Sequence, residues 1–276
     1  MFIEAHGIRH HVILADVHGE RAFPDPERPL VVMVHGALID TFASFYLSLH
    51  WPLALLGMTS FMYDRRGHGR TPYVRRTLTL QQASTDIAGM LDAVGVTTPV
   101  HLIGNSLGAC VAVDFAVHFP SRAASLVLME GEPPTRAWRS AMLDGLACGL
   151  DDTDPNRPDI FGDGSKRTRH QRRAQVAMKL LDETTIFRDI GASRTVDGAM
   201  LQALTLPILG IYGERSLVGA QSRTLETLGD KPNVDIQILA GAGHLLLFDA
   251  ATEVSHRIEA FYRRHEPRCA PRIAAS

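Results

Sequence analysis

Residues 104–108 read Gly104-Asn105-Ser106-Leu107-Gly108, a G-x-S-x-G that follows the apolar run Val100-His101-Leu102-Ile103 and precedes a helix-forming stretch at 109–118. Strand, five-residue turn and helix in that order make a nucleophile elbow, which presents the Ser106 hydroxyl on a sharp bend. Glycine suits positions 104 and 108 because chain packs there too closely for a Cβ. An alkyl hydroxyl is a poor nucleophile at neutral pH, so Ser106 needs a base to take its proton as it attacks. His244 is the candidate: it ends the glycine-rich turn Ala240-Gly241-Ala242-Gly243-His244 after an apolar run. His10, His11, His101 and His118 read as ordinary surface or interior histidines. Attack on an acyl carbon would charge the former carbonyl oxygen, and each preorganised N–H donor aimed at that oxygen stabilises it by about 3 kcal/mol.

These groups need a scaffold, and the chain supplies strand and helix patterns in alternation. Residues 2–5 and 8–17 predict an opening hairpin turning at His6-Gly7, after which Pro24, Pro26 and Pro29 break the chain. The continuous apolar run at 30–34 and its repeat at 59–63 read as strands buried on both faces, and further strands are expected at 100–103, 125–129, 206–212 and 234–239. Between them, helices are expected at 42–56, limited or kinked by Pro52, and at 80–94, 109–118, 221–228 and 252–264. The alternation predicts an α/β fold with a mostly parallel eight-stranded sheet covered by helices on both faces. After the sixth strand the pattern stops. Residues 135–150 and 171–189 look helical and flank a polar stretch at 151–170, as expected of a helical cap over the carboxyl edge of the sheet. The domain reading is therefore a core of 1–130 and 205–266, a cap of 131–204 and a flexible tail of 267–276.

Composition narrows the partners. Twenty-eight basic against 30 acidic side chains leave no global field to draw the protein to nucleic acid or an anionic membrane, so a small molecule is the expected ligand. Cys110, Cys148 and Cys269 are widely spaced, which fits reduced thiols. With neither a basic leader nor an apolar run of about 18 residues, the expected setting is soluble and cytoplasmic. The sequence lacks H-E-x-x-H, paired C-x-x-C, Walker-type and strand-linked G-x-G-x-x-G signals, so neither a metal nor a cofactor is expected. One basic cluster, Lys166-Arg167-Thr168-Arg169-His170-Gln171-Arg172-Arg173, falls in the cap. It reads first as a solvated surface, and otherwise as a site for a substrate carboxylate or a carrier phosphate; Arg188 is a separate candidate for a carboxylate.

From about residue 8 to 264 the chain resembles the α/β-hydrolase superfamily. His35-Gly36 follows the third strand, Asp64-Arg65-Arg66-Gly67-His68-Gly69 the fourth, Gly104–Gly108 the fifth and Gly243-His244 the eighth. The elbow wording and the cap length look most like the branch of esterases, lactonases and meta-cleavage carbon–carbon hydrolases. The resemblance implies His244 as catalytic base, the amides of Ala37 and Leu107 as oxyanion donors, and a structural role for the Asp64–Gly69 turn. The usual acid position falls on Ser216, in Gly213-Glu214-Arg215-Ser216, and a serine cannot carry the charge. A relocation known in the superfamily puts the acid after the sixth strand, here Glu130; Glu214 is the second choice, then Glu132 or Asp249. The expected activity is acyl-enzyme hydrolysis of an ester, thioester, lactone or activated carbon–carbon bond in a small, largely apolar substrate. An acyltransferase, a cofactor-free lyase, isomerase or cyclase, and a non-catalytic binding protein on the same fold remain alternatives.

Overall fold

Side chains of successive strand residues point to opposite faces, and here both faces are apolar: Val32, Leu102 and Leu128 pack on one side of a sheet while Val31, Ile103 and Val127 pack on the other. The structure, a computed structural model, describes residues 1–38, 40–74, 78–149, 184–216 and 220–269. Its main strands are β1 (Phe2–Ala5), β2 (Ile8–Asp16), β3 (Leu30–Val34), β4 (Thr59–Tyr63), β5 (Val100–Asn105), β6 (Ala123–Met129), β7 (Ile208–Gly213) and β8 (Val234–Leu239). Their spatial order is β1-β2-β4-β3-β5-β6-β7-β8, and a two-residue strand, Gly19–Glu20, adds to β2. The first two strands pair antiparallel, β2 meets β4 antiparallel, and every pairing from β4 to β8 is parallel. Register carries the function: Asn105 pairs with Met129 and Met129 with Ile211, so the chain leaves β5 and β6 at adjacent points on the carboxyl edge.

Helices cover both faces. Residues 42–56 form two short helices, α1 (Ala43–Ser48) and α2 (His50–Leu55), with the break at Leu49 rather than at Pro52. Proline sits in the first turn of α2, where an amide would have no intrahelical acceptor, so it costs nothing there. Thr79 caps α3 (Leu80–Ala93) by accepting from the Gln82 amide at 3.2 Å. The elbow helix is α4 (Leu107–His118).

The insertion after β6 is helical where it is described: α5 (Arg136–Gly149), α6 (Ile186–Gly191) and α7 (Gly198–Gln202). The polar stretch 151–170 and the basic cluster 166–173 lie outside the described residues. Trp138, Ile186, Ile190, Val196 and Leu201 join the same core cluster as Leu107 and Leu128. Polar ties fix its exit: Arg194 makes a two-point bond to Asp114 of α4 at 2.7 and 2.6 Å, and Ser193 and Asp189 accept from the amides of Leu80 and Leu78.

The chain closes with α8 (Ala220–Leu228), α9 (Leu246–Asp249) and α10 (Ala251–His265). Residues 267–269, read from sequence as the start of a flexible tail, instead form a 3-10 turn, Pro267–Cys269, with Cys269 only 1% exposed. Packing of Cys269 into the core cluster beside α10 is the reason.

Candidate active site

Ser106 occupies φ 52°, ψ −120°, a region that non-glycine residues rarely enter. Tight packing enforces it. A Cβ at Gly108 would stand 1.9 Å from the Val34 carbonyl oxygen, and one at Gly104 would stand 2.5 Å from the Ala109 nitrogen. The Ser106 amide donates to the Met129 carbonyl at 2.7 Å, which ties the bend to the end of β6. Leu107 opens α4, so its amide is among the first-turn N–H groups that have no intrahelical acceptor.

The loop after β3 abuts this bend: the Cβ position of Gly36 lies 3.4 Å from the Ser106 Cβ. Its orientation is fixed from beneath. The Gly36 carbonyl accepts from His35 Nδ1 at 2.7 Å and from the buried Arg65 guanidinium at 3.2 Å, and the Gly36 amide donates to Asp40 at 2.8 Å. In a trans peptide the N–H points opposite the carbonyl, so the Ala37 amide faces away from Arg65. The His35 Nε2 accepts from the Arg65 amide at 2.9 Å. Burial, with Arg65 beside it, pushes the His35 imidazole down to about 3, so it stays neutral in this role. Sequence alone gives Arg65 a place only in a structural turn and gives Asp40 no part in the site. The available signal was an arginine inside the Asp64–Gly69 motif and an aspartate four residues beyond Gly36.

His244 bridges two groups. Its Nε2 is 3.3 Å from Ser106 Oγ and its Nδ1 is 2.9 Å from Glu130 Oε2, with the imidazole 26% exposed and the carboxylate fully covered. Glu130 Oε1 accepts from the Gly213 amide at 2.5 Å, and Oε2 also accepts from the Ser216 hydroxyl. Glu130 itself holds φ 52°. Among the described residues four non-glycine positions have positive φ, and two of them, Ser106 and Glu130, belong to this site, while a third, Leu38, lies in the loop that follows Gly36. Backbone strain of about 1–3 kcal/mol per residue persists only where surrounding structure enforces it, and such strain clusters at functional sites.

The other carboxylates point elsewhere. Glu214 is exposed and accepts from the Gly241 amide at 2.7 Å. Glu132 is buried against Arg223 at 2.6 Å, and burial pushes its carboxyl up to about 7 despite that partner. Asp249 is exposed on α9. Asp64 accepts from the amides of Phe42 and Arg70, as expected of a turn residue. Arg188 is exposed on α6. Among the described residues no cluster of His, Cys, Asp and Glu could hold a metal, and no helix is long and apolar enough to cross a membrane.

A family model described as "Alpha/beta hydrolase family" matches residues 31–257. A 2-hydroxy-6-oxononadienedioate/2-hydroxy-6-oxononatrienedioate hydrolase of Dechloromonas aromatica (strain RCB) is 27% identical over 248 residues, covering 83% of this chain and 84% of that one. The dihydrolipoyllysine-residue acetyltransferase component of an acetoin cleaving system from Pseudomonas putida is 24% identical over 206 residues; the match covers 73% of this chain but only 55% of the relative's length. Among solved structures, a thermophilic esterase from Thermogutta terrifontis superposes with a TM-score of 0.69 at 18% identity, covering 96% of this chain and 98% of the esterase.

Proposed function

The chain belongs to the alpha/beta hydrolase family, and on that footing we propose that it hydrolyses a small acyl substrate through Ser106, His244 and Glu130. The observation that carries this reading is the unbroken chain of contacts from a strained, bend-mounted hydroxyl through an imidazole to a buried carboxylate. With Nδ1–H donated to Glu130, Nε2 is free to accept the Ser106 proton as Oγ attacks the acyl carbon. Glu130 holds that tautomer and stabilises the imidazolium that forms. Negative charge builds on the acyl oxygen, where the amides of Ala37 and Leu107 are the proposed donors. Each contributes about 3 kcal/mol because neither has to reorganise. The imidazolium then gives its proton to the leaving group, and water, activated by the same imidazole, releases the acyl group and restores Ser106.

An ester, thioester, lactone or activated carbon–carbon bond suits this chemistry. We take residues 131–204 as a cap that closes the site and 1–130 with 205–266 as the catalytic core. The dienedioate named for the Dechloromonas relative supports a substrate that bears a carboxylate. Cap arginines such as Arg188 are its proposed partners, and a phosphate-bearing carrier is the variant reading for the same cations. The buried free thiols Cys110 and Cys269 support a reducing, cytoplasmic setting.

A fluorophosphonate probe tests the nucleophile directly. Stoichiometric labelling of Ser106 in folded protein, abolished in Ser106→Ala, is expected. Labelling that survives that substitution would remove Ser106 from the role.

A further inference from the structure

Ser216 stands where the superfamily resemblance places an acid, yet it contacts the relocated one. Its hydroxyl donates to Oε2 of Glu130, the same oxygen that meets His244 Nδ1 at 2.9 Å, while the Gly213 amide holds Oε1 at 2.5 Å. Both donors come from one short segment, residues 213–216, closed by a bond from the Ser216 amide to the Gly213 carbonyl at 3.1 Å. That segment is also tied to the chain that delivers His244. The Glu214 amide donates to Leu239 at the end of β8, and the Arg215 amide donates to Ala242, two residues before the histidine.

Glutamate makes such a clamp necessary. It has one more rotatable bond than aspartate, and freezing a longer side chain costs more rotamer entropy. A carboxylate leaving β6 therefore reaches the imidazole in one orientation only if both oxygens are held. Resting on the reading of Glu130 as the acid, we propose that Ser216 is a positioning residue: with the Gly213 amide it fixes the Glu130 carboxylate so that Oε2 faces His244. The serine lacks the charge of the acid usually found at its position and supplies a donor in its place.

The test is a double-substitution cycle on full-length protein with a p-nitrophenyl ester. Ser216→Ala is expected to lower kcat about 10- to 50-fold with KM changed less than twofold, and Ser216→Thr, which keeps the hydroxyl, to recover most of the loss. In a Glu130→Gln background Ser216→Ala should cost less than twofold, because the group it positions has already been replaced. If Ser216→Ala does not fold, Ser216→Cys, a near-isostere with a weak donor, takes its place. A Ser216→Ala enzyme within twofold of the parent, or one losing the same factor with and without Glu130, overturns the inference while leaving Glu130 as the acid. A Glu130→Gln enzyme of full activity overturns the acid assignment and this inference together, and so separates the two failures.

Discussion

Among the described residues two serine–histidine–glutamate chains stand out, one at each end of β5. At the carboxyl end, His244 lies 3.3 Å from Ser106 and 2.9 Å from Glu130. At the amino end, His101 bonds Ser125 Oγ at 2.8 Å and Glu266 Oε2 at 3.0 Å, so the second chain has the shorter serine contact. Their surroundings differ. Ser125 lies in β6, opposite His101 in register, and is 1% exposed, and the Tyr262 ring packs edge-on against His101 at 5.1 Å. Ser106 sits on a strained bend, at the mouth of a helix, beside a loop whose Ala37 amide faces away from Arg65. A serine–histidine–carboxylate contact is thus not enough to make a nucleophile. On the proposed reading, access, a bend that breaks from the sheet and the first-turn amide of α4 beside it separate a reactive site from a buried polar brace.

Substitution of the two serines should break the symmetry most sharply. Ser106→Ala is expected to lower kcat/KM for p-nitrophenyl esters by about 10⁴-fold or more, whereas Ser125→Ala should leave it within twofold. The reverse result would assign the chemistry to the wrong end of β5. The carboxylates give the next largest contrast. Glu130→Gln, which leaves the imidazole without an acceptor of fixed charge, is expected to cost about 10³- to 10⁴-fold in kcat, and Glu214→Gln, altering an exposed side chain bonded to Gly241, less than twofold. If neither substitution costs about tenfold, the acid lies elsewhere.

The elbow could be read from sequence because its geometry is local. Five consecutive residues, two of them forced to be glycine, determine where one hydroxyl points. The central strands were legible for a related reason, since runs such as 30–34 and 100–103 are apolar at every position or nearly so, as a doubly covered sheet requires. The proposed acid was legible only as one of a short set of candidates. Glu130 and Glu214 both follow strands, and what separates them is the positive φ of Glu130 and its bonds to Gly213 and Ser216, more than 80 residues away. The sequence marked Ser216 by the charge it lacks, whereas its donor role depends on that same fold. His101 reads as ordinary for a similar reason, since its partner Glu266 is 165 residues distant. Where a feature rests on one turn the chain declares it, and where it rests on two strand ends meeting, only the packed sheet does.

The smallest expected effect sharpens the comparison from the structural side. The bond from His101, reinforced by Arg268, holds the Glu266 carboxyl well below its usual range despite burial. An acid whose folded pKa is depressed stabilises the native state above its unfolded value, near 4.5, and that stability is lost as pH falls toward the folded value. Glu266→Gln removes the charge while keeping an acceptor, so at pH 7 it should cost about 2 kcal/mol, the order of a charged hydrogen bond. That corresponds to a fall of about 4–8 °C in Tm, with kcat/KM unchanged. Below about pH 4.5 the parent should lose its advantage at about 1.4 kcal/mol per pH unit until the two proteins converge. Urea or thermal unfolding of both across pH 3–7 measures the gap. Parallel curves would mean that the Glu266 carboxyl is not held below its usual range in the folded state, and a fall in turnover would mean that the two ends of β5 are coupled rather than separate.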